Sequence, residues 1–191
     1  LQIVWHNRHM QMRMIFGIIS VFIYSHIWAG DATHVVYQSQ DQYVSETFTD
    51  VMPASSTLWP DATLRQDLTA VLGHKPSLRF KYWGAGDKTV WILDEIGKDR
   101  PITAGIVINQ NQIEDVRVLV FRESRGWEIK HDFFTRQFSN LFLDEGHDLS
   151  GQIDNITGAT LSVKAMTRMA QAALLLHEHA QQEAYGLAHA R

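Results

Sequence analysis

The residues best suited to chemistry lie in the run DNITGATLS, Asp154 to Ser162. It combines the carboxylate of Asp154, the hydroxyls of Thr157, Thr160 and Ser162, and the small pair Gly158–Ala159. A glycine permits a tight turn or the close approach of another backbone or a ligand. Ala159 adds minimal bulk. A long segment of helical periodicity follows, so a helix is expected to begin near Leu161. The first N–H groups of a helix have no partner within it, and the helix dipole makes that end attractive to phosphate. The same residues would also serve as an ordinary helix cap. Thr and Ser are favoured there, and Asp154 can cap a turn.

The run resembles the flavin-attachment motif of the FMN-binding domain family. That motif reads Asp, two variable residues, Ser or Thr, Gly, Ala, then Thr or Ser. It falls on Asp154, Thr157, Gly158, Ala159 and Thr160. The family includes the flavin subunits of sodium-translocating NADH–quinone reductase and of related ion pumps, accessory regulators of nitrous oxide reductase, and small exported flavoproteins. The resemblance implies FMN joined through its phosphate to the hydroxyl of Thr160. Leu161 and Ser162 then lie beside it. A second segment, RESRGWEI (Arg122 to Ile129), resembles the Glu-Ser/Thr-x-Gly loop that approaches the flavin in the family. It implies that Glu123, Ser124, Arg125, Gly126 and Trp127 line the cofactor site. Arg125 stands where many members have proline, and Trp127 where leucine is common. Trp127 can flank the isoalloxazine ring or simply pack at the rim. Arg125 can balance negative charge on the cofactor or face solvent. The resemblance covers roughly residues 88 to 176.

In the family the bond is made by a separate flavin transferase that uses FAD and magnesium. Thr160 therefore needs no activating base within the chain, and Asp154 is read as a structural or transferase-recognition residue. The bound flavin would supply the redox chemistry and the protein would tune it.

The surrounding elements have to position these two segments. Asp41 to Phe48 and Ala62 to Leu72 show helical periodicity. Pro60–Asp61 suits the start of the second helix and Gly73 its end. Residues 31–76 thus read as a helical lead-in, with the turn-rich MPASSTLWPD between the helices. Four strands are then expected: Leu78 to Trp83, Thr89 to Asp94, Ile102 to Asn109 and Ile113 to Arg122. In the last, Val116, Val118 and Val120 should share one face, and Arg117, Leu119 and Phe121 the other. Trp83 and Trp91 are read as core. GAGD (Gly84 to Asp87) and GKDRP (Gly97 to Pro101) are hairpin turns, and the second can border the flavin cleft. His131 to Phe142 reads as helical, with Phe134, Phe138 and Leu141 inward. The long helix from Val163 carries Met166, Ala170, Ala173, Leu174 and His177 on one stripe, followed by a polar tail expected to fray after His179. His177 and His179 cannot share a helix face, so no metal site is expected. The fold class is α+β: a twisted antiparallel sheet with packed helices. The domain division is 1–29 leader or anchor, 30–87 lead-in and first strand, 88–176 flavin domain, 177–191 tail.

The chain has 191 residues and no cysteine. Disulfides, thiolate nucleophiles and thiolate-held iron–sulfur clusters are excluded. Arg8 and Arg13 precede the apolar stretch Met14 to Tyr24, and SHIWAG follows, with no Asp or Glu before Asp31. That order matches a secretory signal, with Ala29 as the cleavage residue. Ile27 is bulky for its place, so retention as an anchor stays open, as does a plain buried helix or strand. Leu1 in place of methionine points to Met10, Met12 or Met14 as the start. The remainder is acidic and has no run of five basic residues, which argues against a nucleic-acid partner. The reading is an exported flavoprotein in the periplasm or on the outer side of the membrane. It would relay electrons to or from a membrane reductase, a cytochrome or another exported redox protein. The alternatives are a small flavin-dependent reductase and a non-redox regulatory module.

Overall fold

A computed structural model of the chain describes residues 34–189. The expected leader or anchor falls outside them. Among the described residues no helix is long and apolar enough to cross a membrane. The fold is α+β, built on a twisted, open, six-stranded antiparallel sheet in the order β1-β6-β5-β4-β3-β2. The strands are β1 (Val35–Val36), β2 (Ser55–Leu58), β3 (Phe80–Ala85), β4 (Lys88–Ile96), β5 (Pro101–Asn109) and β6 (Gln112–Phe121). The four central strands match the expected ones to within two or three residues.

The two outer strands were not foreseen. Ser55–Leu58, within the turn-rich segment, pairs with β3, and Val35–Val36 pairs with β6. Three of the four β2 side chains are exposed. An edge strand this short buries too little apolar surface to leave an alternating pattern. The lead-in therefore supplies both sheet edges, and the β3–β4 hairpin spans the expected boundary at residue 87.

Helix α1 (Gln40–Thr47) lies on one sheet face with Tyr43 and Val44 inward, against Trp83, Val90, Val107 and Leu119. The larger core is on the other face. There α2 (Ala62–Leu72) and α4 (Thr160–His189) pack on Trp91, Leu93, Ile102, Ile106 and Val118. Helix α2 has the expected limits. Asp61 accepts from the N–H of Leu64 at 2.8 Å, and Gly73 closes the helix in the left-handed conformation. The inward stripe of α4 is as expected, but the helix runs on to His189, beyond the point where fraying was anticipated.

Two local expectations are corrected. The alternation in β6 breaks at a bulge, because Thr103 pairs with Val120 and Ala104 with Val118. The skipped residue moves Phe121 to the face of Val116 and Val118, and leaves Val120 beside Leu119. The segment His131 to Phe142 is not one helix. It holds α3 (Asp132–Thr135) and a 3₁₀ turn, Arg136–Phe138, and a further 3₁₀ turn, Trp127–Lys130, precedes it. Phe134 and Phe138 are still buried.

Two histidines bind the helices to the sheet with opposite pH dependence. Near the end of β4, Glu95 is buried and lies 2.9 Å from His74 Nε2 and 3.6 Å from Arg168. His74 Nδ1 faces the Lys75 carbonyl at 3.1 Å, so both ring nitrogens meet acceptors and the imidazolium is favoured. The hydrogen bond to Glu95 accordingly raises the His74 pKa. His177 on α4 is 1% exposed. Trp91 Nε1–H donates to Thr89 Oγ1 at 2.8 Å, and the Thr89 hydroxyl lies 2.7 Å from His177 Nδ1. Trp91 can only donate, so the Thr89 proton is available to Nδ1 of a neutral imidazole. Burial lowers the His177 pKa to about 4.

His177 stays uncharged in the folded chain while its unfolded counterpart protonates below its ordinary 6.5. Its contribution is complete above that value and is lost as pH falls toward about 4. His74 works the other way, stabilising at low pH and losing that effect as pH rises through its elevated value. Urea unfolding should show wild type losing roughly 2–3 kcal/mol more than His177→Asn between about pH 7.5 and 4.5. Equal losses would contradict the buried neutral imidazole.

Candidate functional site

The loop that follows β6 descends onto the first turn of α4. Contact is made at Gly126, whose φ is +87°. A Cβ there would stand 2.7 Å from Ser162 Oγ and 3.3 Å from the Ala159 methyl. Both the left-handed backbone and the lack of space require glycine. Ser162 and Ala159 are correspondingly buried.

Glu123, three residues earlier, turns the other way. Its Oε1 accepts three successive backbone N–H groups: Lys98 at 2.5 Å, Asp99 at 2.7 Å and Arg100 at 3.0 Å. These belong to the turn between β4 and β5. Gly97 makes the approach possible, because a Cβ there would lie 2.9 Å from the same oxygen. Hydrogen bonds to an ionised acceptor are about twice as strong as neutral ones. The turn is thus wrapped around a carboxylate delivered from the end of β6, and Lys98 is held beside the loop.

The third wall is the start of α4. Gly158 has φ +85° and redirects the chain, and the Ala159 N–H reaches the Ile156 carbonyl at 2.9 Å. Val163 N–H bonds to the Ala159 carbonyl at 2.9 Å. The N–H groups of Thr160, Leu161 and Ser162 therefore precede the first helical hydrogen bond. Thr160 is exposed, and its Oγ1 accepts from Asn155 Nδ2 at 3.0 Å.

Together these walls enclose a depression of about 510 Å³, lined by Lys98, Glu123–Arg125 and Gly158–Ser162. Eight of the residues singled out in the sequence line it: Glu123, Ser124, Arg125, Gly158, Ala159, Thr160, Leu161 and Ser162. Gly126 is the contact beneath them. Three others lie outside the lining. Asp154 is exposed, with its N–H donated to Gln137 Oε1 at 2.7 Å, and Thr157 is exposed. Trp127 is 48% exposed; its ring meets His131 edge-on at 5.3 Å, with the Lys130 ammonium 5.4 Å away. Two participants carried no motif signal of their own. Lys98 reaches the site through the Gly97–Pro101 turn, and Asn155 occupies a variable position of the attachment motif.

The charge balance of the depression suits an anion. One oxygen of its carboxylate, Glu123 Oε1, is occupied by the three N–H groups. Arg125 has no ion pair among the described residues, and Lys98 touches only exposed Asp99, at 3.7 Å. Residues 97–175 match the model of the FMN-binding domain family. This part of the chain is an FMN-binding domain. The match starts at the turn that Glu123 holds and ends within α4. No curated protein matches the chain. FMN fits the residues present: a phosphate suits the free helix N–H groups and two cations, and the open lip admits a flat ring. A bound flavin supplies electron or hydride transfer. The FMN-binding domain supplies position and charge.

Removing the Glu123 carboxylate should release the turn it holds. Glu123→Ala is expected to cost roughly 2–3 kcal/mol, and Glu123→Gln less. The amides of Lys98, Asp99 and Arg100 should lose hydrogen-exchange protection in the alanine variant. Unchanged protection would contradict the role of Glu123. Gly126→Ala is expected to cost at least about 1 kcal/mol in thermal unfolding, from backbone strain and the collision with Ser162.

Proposed function

We propose that FMN is joined to this chain by a phosphodiester at Thr160 Oγ1, and that the loaded domain relays electrons between redox partners outside the cytoplasm. The observation that carries this is the difference among the three motif hydroxyls. Thr160 is exposed at the lip of the depression. Ser162 is 4% exposed beneath Gly126. Thr157 is exposed but lies outside the lining.

In the attachment step a flavin transferase presents FAD with magnesium. Thr160 Oγ1 bonds to the FMN phosphorus, the bond to the AMP phosphate breaks, AMP leaves, and the hydroxyl proton passes to the transferase or solvent. The chain contributes steric access and orientation. The Asn155 amide holds Oγ1 from one side and can keep the same contact with the ester oxygen. The helix N–H groups and Arg125 favour the phosphate charge. A dipole term of this kind is worth roughly 0.3–1 kcal/mol when exposed, so the covalent bond and not electrostatics retains the group. Asp154, exposed at the start of the motif, is available to the transferase.

The relay reading is supported by the openness of the walls. Ser124, Arg125 and Leu161 are all exposed, so a partner can approach the flavin edge. The partners proposed are a membrane reductase, a cytochrome or another exported redox protein. Export rests on the sequence before Asp31, and the mature start is expected near Gly30. A second reading, a small reductase acting on an external acceptor, is favoured by a groove on the other side of Thr160.

Coexpression with a transferase in an exporting host should add one FMN unit, and peptide mass spectrometry should place it on Thr160. Thr160→Ala should abolish the addition, and Ser162→Ala should leave most of it. Asn155→Ala should slow attachment without preventing it. FMN on Thr157 or Ser162 would overturn the residue assignment. A folded, exported protein without flavin would overturn the covalent mechanism.

A further inference from the structure

The helix face that begins at Thr160 continues into a second depression. Lys164 and Arg168 follow Thr160 at intervals of one turn, and Gln171 completes the stripe. Facing them are the last turns of α2, at Ala70 and Val71, and the loop 146–155. The groove has a volume of about 740 Å³, within the range that admits a small molecule.

Its wall is built by specific bonds. Leu143 and Leu149 form a bridge, and Asp144 Oδ1 accepts the N–H groups of Gly146 and Asp148 at 2.9 Å each. Gln171 Nε2 donates to the His147 carbonyl at 3.0 Å and lies 3.3 Å from Asp148 Oδ1. Val71, Leu149 and Ile153 pack against the main core and give the groove an apolar side. The opposite side is cationic. Lys164 is exposed and has no ion pair among the described residues. Arg168 reaches Glu95 only at 3.6 Å. The one carboxylate lining the groove, Asp148, lies on the loop wall 3.3 Å from Gln171 Nε2, against the two cations Lys164 and Arg168.

We infer that this groove binds a small organic anion with an apolar body, its carboxylate at Lys164 and its body over Val71, Leu149 and Ile153. Apolar area supplies affinity and the unpaired ammonium supplies orientation. The anion would sit next to Thr160, within reach of whatever that residue carries. The binding site stands apart from the flavin proposal; only its role beside Thr160 rests on it.

The probe is 2-naphthoate, with the neutral 2-naphthamide as its control, titrated calorimetrically into the full chain with and without attached flavin. Naphthoate should bind one to one in both forms, and the amide about tenfold more weakly, as expected when one charge-assisted contact is lost. Lys164→Gln should weaken naphthoate by a similar factor and leave the amide unchanged. Ala70→Trp, at an exposed position, should block both. No binding, equal binding of acid and amide, or full binding by both variants would overturn the inference. Loss of binding on flavin loading would also overturn it, because the groove would then hold the flavin. Failure of flavin to attach leaves the unloaded titrations to decide the matter alone.

Discussion

One carboxylate oxygen organises the candidate site. Glu123 Oε1 draws three successive N–H groups of the β4–β5 turn around itself. Those groups would otherwise need water or other partners, and the carboxylate would lack partners for its charge. Each side satisfies the other. The constraint also fixes distance, because Gly97 must remain without a side chain for the oxygen to enter. With the turn held on one side, the same loop can settle on α4 at Gly126. The depression exists because the loop is clamped at both ends.

The clamp separates two kinds of residue that share the motif. Ala159 and Ser162 are covered by Gly126 and hold the loop against the helix. Thr160 and Leu161, between them in sequence, are exposed. A helix has about 3.6 residues per turn, so neighbouring positions face in different directions. This geometry separates the two hydroxyls of the first turn, leaving Thr160 accessible and Ser162 packed. Asn155 sharpens the distinction by donating to Thr160 Oγ1.

Much of this could be read from the residues. The central strands, α2 with its Asp61 and Gly73 ends, and the inward stripe of α4 each carry a strong period or a specific end signal. The run Asp154 to Ser162 and the Glu123 loop stood out through their resemblance to segments of the FMN-binding domain family; by its residue types alone the run reads equally as a helix cap. Other features had no such signal. The edge strands are short and mostly exposed. The β6 bulge depends on pairing with β5 and cannot be seen in β6 itself. Lys98 enters the site only because Glu123, from the loop after β6, binds its turn. Trp127 was a natural candidate for a flat cofactor, yet its ring lies against His131 outside the lining. The direction of its side chain is set by the 3₁₀ turn that begins there.

The central claim is that the loop held by Glu123 and the start of α4 form the seat of FMN on Thr160. A crystal structure of the flavin-loaded chain tests it most directly. The expected density is continuous from Thr160 Oγ1 through a phosphate near the helix N–H groups and Arg125, with the ring in the depression beside Ser124. Density attached elsewhere, or a ring lying across Val71 and Ile153 instead, would contradict it.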